Sequence, residues 1–207
     1  MKNQKSIRQL ADKNNKSNNK LVNFIFEATT LKRLQRTGWQ ILGANKESVA
    51  EHSFMVAVIT YVLAKELHVD LEKALLMALV HDFIETRTGD VYKLADLYVK
   101  VDTKSAIEDA FAKLEHPKKI IPLMIEYEKR KTLEAIIVHD ADVLALCVEL
   151  KQLTERGNKD AVEWLEANMG RLKLSQSRKL LQEVKKTNSQ NWWAKERDTL
   201  HKKMNQV

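Results

Sequence analysis

The chain has 207 residues, which suits a single domain and is enough to bury a hydrophobic core without disulfides or a structural metal. Apolar residues make up 44% of it, which excludes wholesale disorder, and five glycines and two prolines are few for a β-sandwich or an α/β fold. The net charge of +7 favours anionic ligands, but the excess lies near the two ends, and no basic groove with interleaved aromatic residues points to nucleic acid.

The polar N-terminus lacks the apolar stretch of a signal peptide, and no run approaches the roughly 20 apolar residues of a membrane span. We therefore expect a cytoplasmic protein without a membrane partner. The single cysteine, Cys147, cannot form an internal disulfide, and its apolar neighbours predict a buried, inert thiol.

The first elements follow a polar stretch. Residues 1–19 are predicted to be frayed, and apolar residues recur at helical spacing from Leu21 to Leu34. The two glycines of the segment RTGWQILGANKES predict a loop. Ser48 and Glu51 have the spacing of a capping box, so a long apolar helix is predicted to begin there.

The middle of the chain predicts further helices. Asp70 is expected to cap one that continues unbroken through the string LEKALLMALVHDFIETRTG and ends at Gly89. Helical stretches are also predicted for Lys104 to Leu114 and Lys118 to Arg130, with Pro117 separating them.

The last third predicts three helices, over Leu133 to Arg156, Asp160 to Met169 and Gln176 to Met204. The last of these is expected to be one amphipathic C-terminal helix. No internal repeat and no sustained β alternation occurs in the sequence. The prediction is therefore one all-α domain.

Charged and imidazole groups interrupt the three most apolar helices. They are His52, the pair His81 and Asp82, and Asp142. Such groups are costly to bury alone, and a hydrogen-bonded core histidine or a capping aspartate is the ordinary explanation for any one of them. Three coincidences on three neighbouring helices are better explained by one cause, a shared metal ion that neutralises the carboxylates and uses the imidazole lone pairs.

The ligand types indicate which ion is expected. Two imidazoles and two carboxylates suit one divalent ion per chain, drawn from Mn, Co, Fe, Ni, Zn and Mg. Cys147 lies five residues beyond Asp142 and off its helix face, so no thiolate is available. Four protein ligands leave open positions for water and substrate, which is typical of a catalytic site.

Two further carboxylates follow the histidine–aspartate pair. Glu85 is four residues after His81, so on one helix both would share a face, and such a carboxylate can transfer a proton or can simply be solvated. Asp90, just after Gly89, is by composition alone a turn residue at a helix end.

The order of these residues resembles the HD superfamily of metal-dependent phosphohydrolases, and within it the 5′-deoxynucleotidase group. The resemblance covers roughly residues 21–158. It is carried by RTGW (36–39), ESVAEH (47–52), ALVHDFIETRTGD (78–90) and Ala141-Asp142, followed by LKQLTERGN.

The resemblance implies a role for each matching residue. The metal ligands would be His52, His81, Asp82 and Asp142; Glu85 would assist proton transfer, Asp90 would lie close to the substrate, Arg36 would contact phosphate and Trp39 the base. Relatives with an adjacent Arg and Trp differ from this chain, where Thr37 and Gly38 intervene. A second histidine–aspartate pair, His139-Asp140, is not the family's ligand position. A homodimer is implied by the same analogy.

The domain organisation that we predict is an HD domain over residues 20–170 and a C-terminal helical extension, residues 171–207, that packs on it. The expected activity is removal of phosphate from nucleoside, and by resemblance deoxyribonucleoside, 5′-monophosphates. An HD phosphodiesterase or a (p)ppGpp-type pyrophosphohydrolase would use the same metal ligands. A di-metal oxygenase would need more histidines than His116 and His139. The alternative without catalysis is a basic helical nucleic-acid-binding module with a structural metal.

Overall fold

A computed structural model of the protein describes residues 19–44, 47–114 and 117–205. Most of the segment predicted to be frayed, residues 1–18, lies outside these ranges, as does His116. The predicted all-α fold is confirmed across the described chain. The helices, in chain order, are α1 (19–28), α2 (Val49–Leu67), α3 (Leu71–Val80), α4 (Glu85–Thr88), α5 (Thr103–Phe111), α6 (Pro117–Lys129), α7 (Leu133–Glu155), α8 (Asp160–Met169), α9 (Ser175–Lys186) and α10 (Ala194–Met204).

Helix α7 is the centre of the fold. Its 23 residues rise about 1.5 Å each and so span about 35 Å. Helices α2, α3, α6, α8 and α9 all pack against it. A helix that is covered on most sides must be apolar on most sides, and α7 is. Its buried apolar residues are Ala135, Ile137, Val138, Ala141, Val143, Leu144, Ala145, Cys147, Leu150 and Leu153. Burial raises the pKa of the Cys147 thiol to about 12, so the prediction of an inert thiol is confirmed.

Side-chain caps set the start of the long helices as predicted. Ser48 and Glu51 form the expected capping box, in which the Ser48 N–H donates to Glu51 Oε2 at 2.7 Å and the Glu51 N–H donates to Ser48 Oγ at 3.2 Å. Asp70 Oδ1 accepts the Lys73 N–H at 3.0 Å and begins α3. These bonds satisfy backbone donors that have no partner inside the helix.

The prediction of one continuous helix up to Gly89 is wrong, because the backbone turns at His81. The imidazole Nδ1 of His81 donates to the carbonyl oxygen of Ala78 at 2.7 Å. That carbonyl is the acceptor that the backbone N–H of Asp82 would use in a continuous helix. Helix α3 therefore ends at Val80, and α4 starts after a tight turn; it ends, as predicted, at Gly89 with φ of +72°.

The prediction of one helix over Gln176 to Met204 is also wrong. Helix α9 ends at Lys186, and α10 begins only at Ala194, after a break that contains Asn188 and Ser189. The Ser189 N–H donates to both oxygens of Glu155 at 3.2 Å, and Asn188 Oδ1 accepts a backbone N–H two residues on at 2.8 Å. Such side-chain bonds compete with the helical ones and divide the segment.

The amphipathic character predicted for the C-terminus belongs to α9. Ser177 and Leu181 of α9 are fully buried, whereas α10 buries no residue. None of the described helices is long and apolar enough to cross a membrane.

Candidate metal centre and substrate cavity

Three elements bring the predicted ligands together. Helix α2 supplies His52, the end of α3 and its turn supply His81 and Asp82, and α7 supplies Asp142. His52 Nε2 lies 3.1 Å from Asp142 Oδ1, and His81 Nε2 lies 3.1 Å from Asp82 Oδ2. One possible ligand atom from each of His52, His81 and Asp142 falls within 4.8 Å of the others, so these residues can hold a metal ion.

The chemistry of His81 fits a cation. A carbonyl oxygen only accepts hydrogen bonds, so the contact with Ala78 places the imidazole proton on Nδ1 and leaves a lone pair on Nε2. That Nε2 is buried without a hydrogen-bond partner and faces a carboxylate oxygen of Asp82. Burial lowers the pKa of His81, but the Asp82 and Asp142 carboxylates outweigh it and raise the pKa. The position therefore attracts positive charge, which a proton or a metal ion can supply.

Asp82 adjoins the three clustered ligands and also touches Arg36. Its Oδ2 lies 3.9 Å from His52 Nε2 and 3.1 Å from Arg36 Nη1. Burial alone would raise the pKa of Asp82, yet His81 and Arg36 lower it to about 2; the pKa of Asp142 is also lowered, chiefly by His52. Both carboxylates are therefore charged at neutral pH. The ligand role of Asp82 stays a prediction.

Arg36 comes from the loop before α2, and it contacts Asp82 at the edge of the group formed by His52, His81 and Asp142, which we call the metal cluster. Its side chain is 17% exposed, and its backbone N–H donates to the Glu47 carbonyl at 2.8 Å. Burial lowers the pKa of Arg36, but Asp82 and Asp142 raise it, so the guanidinium remains charged. Because it borders the cavity described below, Arg36 can contact an anionic group there.

Glu85 borders the cavity from α4, beyond the turn that separates it from His81. Its Oε2 is buried without a hydrogen-bond partner. Burial, followed by the charges of Asp82 and Asp90, raises the pKa of Glu85 to about 10. A carboxyl group that stays protonated near neutral pH can donate a proton, which is the environment expected of a general acid.

Asp90 forms hydrogen bonds with Thr37, in the loop that carries Arg36. Its Oδ2 accepts the backbone N–H of Thr37 and, at 3.1 Å, the Thr37 hydroxyl; the same hydroxyl lies 3.0 Å from the Asp90 carbonyl oxygen. Asp90 also borders the cavity. It is thus more than the helix-end turn residue that composition alone suggested, and its role near a substrate stays a prediction.

Trp39 is buried, with 2% of its surface exposed. Its indole N–H donates to Glu47 Oε2 at 2.9 Å. It borders the cavity only with this small fraction. An open face for stacking against a base is therefore not offered by Trp39, and its predicted base contact stays untested.

Glu47 is a site residue that the sequence interpretation missed. It is 7% exposed, and its Oε1 lies 4.0 Å from Nδ1 of His52, the imidazole nitrogen that points away from Asp142. At 4.0 Å the two groups are at ion-pair distance and not hydrogen-bonded, and Nδ1 of His52 is buried without a hydrogen-bond partner. One feature of the sequence could have indicated Glu47: it is an acidic residue immediately before the Ser48 cap of an apolar helix.

Glu27 holds the short helix that carries Glu85, and it too was missed. Its carboxylate accepts hydrogen bonds from Arg87 Nε at 2.6 Å, Lys113 Nζ at 2.5 Å and Thr86 Oγ1 at 3.1 Å. These bonds outweigh burial and lower the pKa of Glu27. Nothing local in the sequence links α1 to residues about sixty positions later.

The second histidine–aspartate pair is part of the scaffold. Asp140 is fully buried and accepts the backbone N–H groups of Lys173 at 2.9 Å and Leu174 at 2.8 Å, as well as a contact from His139 Nδ1 at 3.2 Å. Asp140 therefore anchors the segment that leads into α9. Asp142, two residues later, is the acid that lies beside His52.

A cavity of about 620 Å³ opens over the metal cluster. This is within the usual size range of small-molecule sites. His81, Asp82 and Asp142 border it at one side. Leu146, Trp164 and Arg171 also border it.

The fold and the site together define a class of protein. It is all-helical, and its histidines and aspartates can hold a metal ion beside a cavity of ligand size. A model of the HD domain family matches residues 28–186, and the chain belongs to that family, which is metal-dependent. The resemblance seen in the sequence is thereby confirmed.

The relatives are more specific. The chain is 30% identical over 146 residues to 5′-deoxynucleotidase HDDC2 of Bos taurus, covering 67% of this chain and 70% of the relative. It is 28% identical over 155 residues to 5′-deoxynucleotidase hdd1 of Schizosaccharomyces pombe, covering 68% of this chain and 76% of the relative. Among solved structures, a conserved hypothetical protein from Pyrococcus furiosus is similar with a TM-score of 0.69 and 34% identity, over 80% of this chain and 99% of that one.

Proposed function

We propose that this protein is a metal-dependent phosphohydrolase that removes the phosphate of nucleoside 5′-monophosphates, with a preference for deoxyribonucleotides. The observation that carries the proposal is the buried, unpartnered Nε2 of His81 beside Asp82 and Arg36 at the edge of a ligand-sized cavity. The relatives named 5′-deoxynucleotidase support the substrate class.

The residues proposed to hold one divalent ion are His52, His81, Asp82 and Asp142. When bound, such an ion polarises a phosphate oxygen and lowers the pKa of bound water. Glu47 is proposed to orient the His52 ring, because its carboxylate lies 4.0 Å from Nδ1 and can attract the proton on that nitrogen when Nε2 binds the ion.

The chain's own groups do the rest of the proposed work. Arg36 uses one N–H group on Asp82 and has further donors for phosphate oxygens, which a guanidinium binds bidentately. Asp90 keeps Arg36 in position through Thr37. Glu85 borders the cavity beside the proposed metal ligands with a buried, unpartnered Oε2, and burial, the largest cause of its raised pKa, does not depend on the ion; this supports donation of its proton to the leaving 5′ oxygen of the sugar.

Trp39 is proposed to support the site from behind instead of contacting the base. Its indole N–H is occupied by Glu47, and only 2% of the residue is exposed. The preference for deoxyribose therefore rests on the named relatives and is tested directly below.

The test is phosphate release by the purified, metal-loaded protein. The substrates are matched deoxy and ribo 5′-monophosphates, cyclic nucleotides and ppGpp, with Mn²⁺ or Co²⁺ added. We expect the highest initial rates with deoxynucleoside 5′-monophosphates and none after treatment with a chelator. Equal rates on both sugars contradict the deoxy preference. Faster cleavage of a cyclic diester or of ppGpp favours the phosphodiesterase or pyrophosphohydrolase alternative, and no release from any substrate favours the binding module.

A homodimer is proposed for the assembly. Helix α2 exposes Phe54, Val58, Tyr61 and Val62, by 67%, 42%, 49% and 48%, at spacings that form one stripe. Contiguous exposed apolar surface marks interaction sites. The proposed HD domain covers residues 20–170, with an extension over residues 171–207. Contacts of α9 with α7 support the packing of the first part of that extension, whereas α10 buries no residue.

A further inference from the structure

Some residues that border the cavity have no role in the proposed metal site. Leu146 lies four residues after Asp142 on α7, so the two side chains share a face of the helix. They are separated by about 6 Å along the helix axis. Both border the cavity, together with Trp164 of α8 and Arg171, which follows α8. The cavity therefore borders both the charged ligands and three residues of other kinds, an aliphatic side chain, an indole and a guanidinium.

Trp164 borders the cavity and is less enclosed than Trp39. It is half-buried against the core and packs over the Arg36 loop, where its Cζ3 lies 3.8 Å from the position that a Cβ on Gly38 would take. The indole is therefore held in place from one side while it borders the cavity on the other. Trp39, by contrast, is almost fully enclosed.

Arg171 adds a polar group to the same side. One of its guanidinium nitrogens, Nη1, donates to Asn168 Oδ1 at 2.6 Å, and Asn168 is 9% exposed. This contact restrains the guanidinium at one of its nitrogens. A guanidinium has five N–H donors and no acceptor, so one contact leaves others for a ligand.

We propose that Leu146, Trp164 and Arg171 form a nucleobase subsite; this rests on the proposed function and names its base-binding residues. A planar base stacks on the Trp164 indole while the phosphate lies at Arg36 and the metal cluster. Stacking accepts every base, because each has a π face. Arg171 adds a preference for edges rich in acceptors, such as O6 and N7 of guanine, over the adenine edge, which carries an amino donor.

The experiment measures equilibrium binding by calorimetry in a Glu85→Gln background, loaded with Mn²⁺, so that turnover is slowed. The ligands are dGMP, dAMP and deoxyribose 5-phosphate, which keeps the phosphate and the sugar but has no base. Trp164→Ala is compared with Trp164→Phe, which keeps an aromatic ring. The control is Trp192→Ala, because Trp192 is 82% exposed and does not border the cavity.

We expect Trp164→Ala to weaken dGMP binding about tenfold or more and to leave the affinity for deoxyribose 5-phosphate unchanged. Trp164→Phe should retain most of the affinity for dGMP, and Trp192→Ala all of it. Unchanged dGMP binding in Trp164→Ala, or equal weakening of both ligands, overturns the subsite. Arg171→Gln should abolish a preference for dGMP over dAMP, and a background protein without that preference overturns the role of Arg171.

Phosphate release by the wild-type protein, measured in parallel, tests the proposed function separately. Base-dependent binding that is lost in Trp164→Ala, without any phosphate release by the wild type, would keep the subsite and refute the nucleotidase. Phosphate release by the wild type, together with unchanged dGMP binding in Trp164→Ala, would keep the nucleotidase and refute the subsite.

Discussion

The contact between Glu47 and His52 leads to a prediction about metal affinity. Glu47→Gln replaces the carboxylate behind His52 by an amide of the same shape. The amide oxygen can still accept the Trp39 N–H, which now donates to Glu47 at 2.9 Å. The amide N–H₂ group then faces Nδ1 of His52, a position that carries a proton when Nε2 binds a cation. The amide N–H₂ group and the Nδ1–H of His52 are both donors, so they would face each other without an acceptor between them.

The size of the effect follows from the geometry. Glu47 Oε1 and His52 Nδ1 are 4.0 Å apart, and their side chains are 8% and 0% exposed. Two full charges at that distance interact by about 4 kcal/mol at an effective dielectric constant near 20. A metal-bound neutral imidazole carries only part of a positive charge, so we expect a loss of about 1.4–2.7 kcal/mol, or about 10- to 100-fold in metal affinity.

The assay is calorimetric titration of Mn²⁺ into chelator-treated protein, with thermal unfolding of the metal-free protein as a check on folding. The matched control is Glu51→Gln, the same substitution one turn along α2 on an exposed residue, where glutamine can still complete the capping box. The control should bind Mn²⁺ as the wild type does. Wild-type affinity in Glu47→Gln, with normal unfolding, would refute the role of Glu47.

Further predictions concern the proposed ligands and Glu85. His81→Ala and Asp142→Ala should each lose the approximately one divalent ion per chain expected from the four-ligand site; metal analysis that finds full occupancy in both variants contradicts the ligand assignment. Glu85→Gln should keep the metal while phosphate release falls by about 100-fold or more, and a wild-type rate would exclude its role in proton transfer. In the metal-free protein, the pKa of Glu85 is raised from 4.5 to about 10. Between these values the unfolded chain has lost the proton and the folded chain keeps it, so this group makes the protein less stable as pH rises. Glu85→Gln should therefore reduce the fall in melting temperature between pH 6 and 9, and an identical fall in both proteins would be evidence against the raised pKa.

The helices and the metal cluster could be predicted because their signals are local. His52, His81 and Asp142 each interrupt a strongly apolar helix, and a group that is costly to bury indicates a compensating partner. Ser48 and Glu51 are three positions apart and hydrogen-bond to each other, so the start of α2 can be predicted from a short stretch of sequence.

The helix break at His81 could not be predicted in the same way. Helical periodicity continues through residues 78–88, and histidine is compatible with a helix interior. The break depends on the direction of the His81 imidazole, which bonds to Ala78 inside a packed core. That direction is set by neighbours from other helices, and the turn also decides where Asp82 and Glu85 stand relative to each other.

By itself, the sequence determined the all-α class, the capped starts of α2 and α3, and the identities of His52, His81 and Asp142 as the residues that meet at the metal cluster. Burial costs and capping act over a few neighbouring positions, so a local pattern reveals them. Only the tertiary structure decided that Glu47 stands behind His52, that Trp39 is enclosed, and that Trp164 borders the cavity. The physical reason is that these contacts join side chains from segments whose separation in space depends on how whole helices pack, and no local pattern encodes that packing.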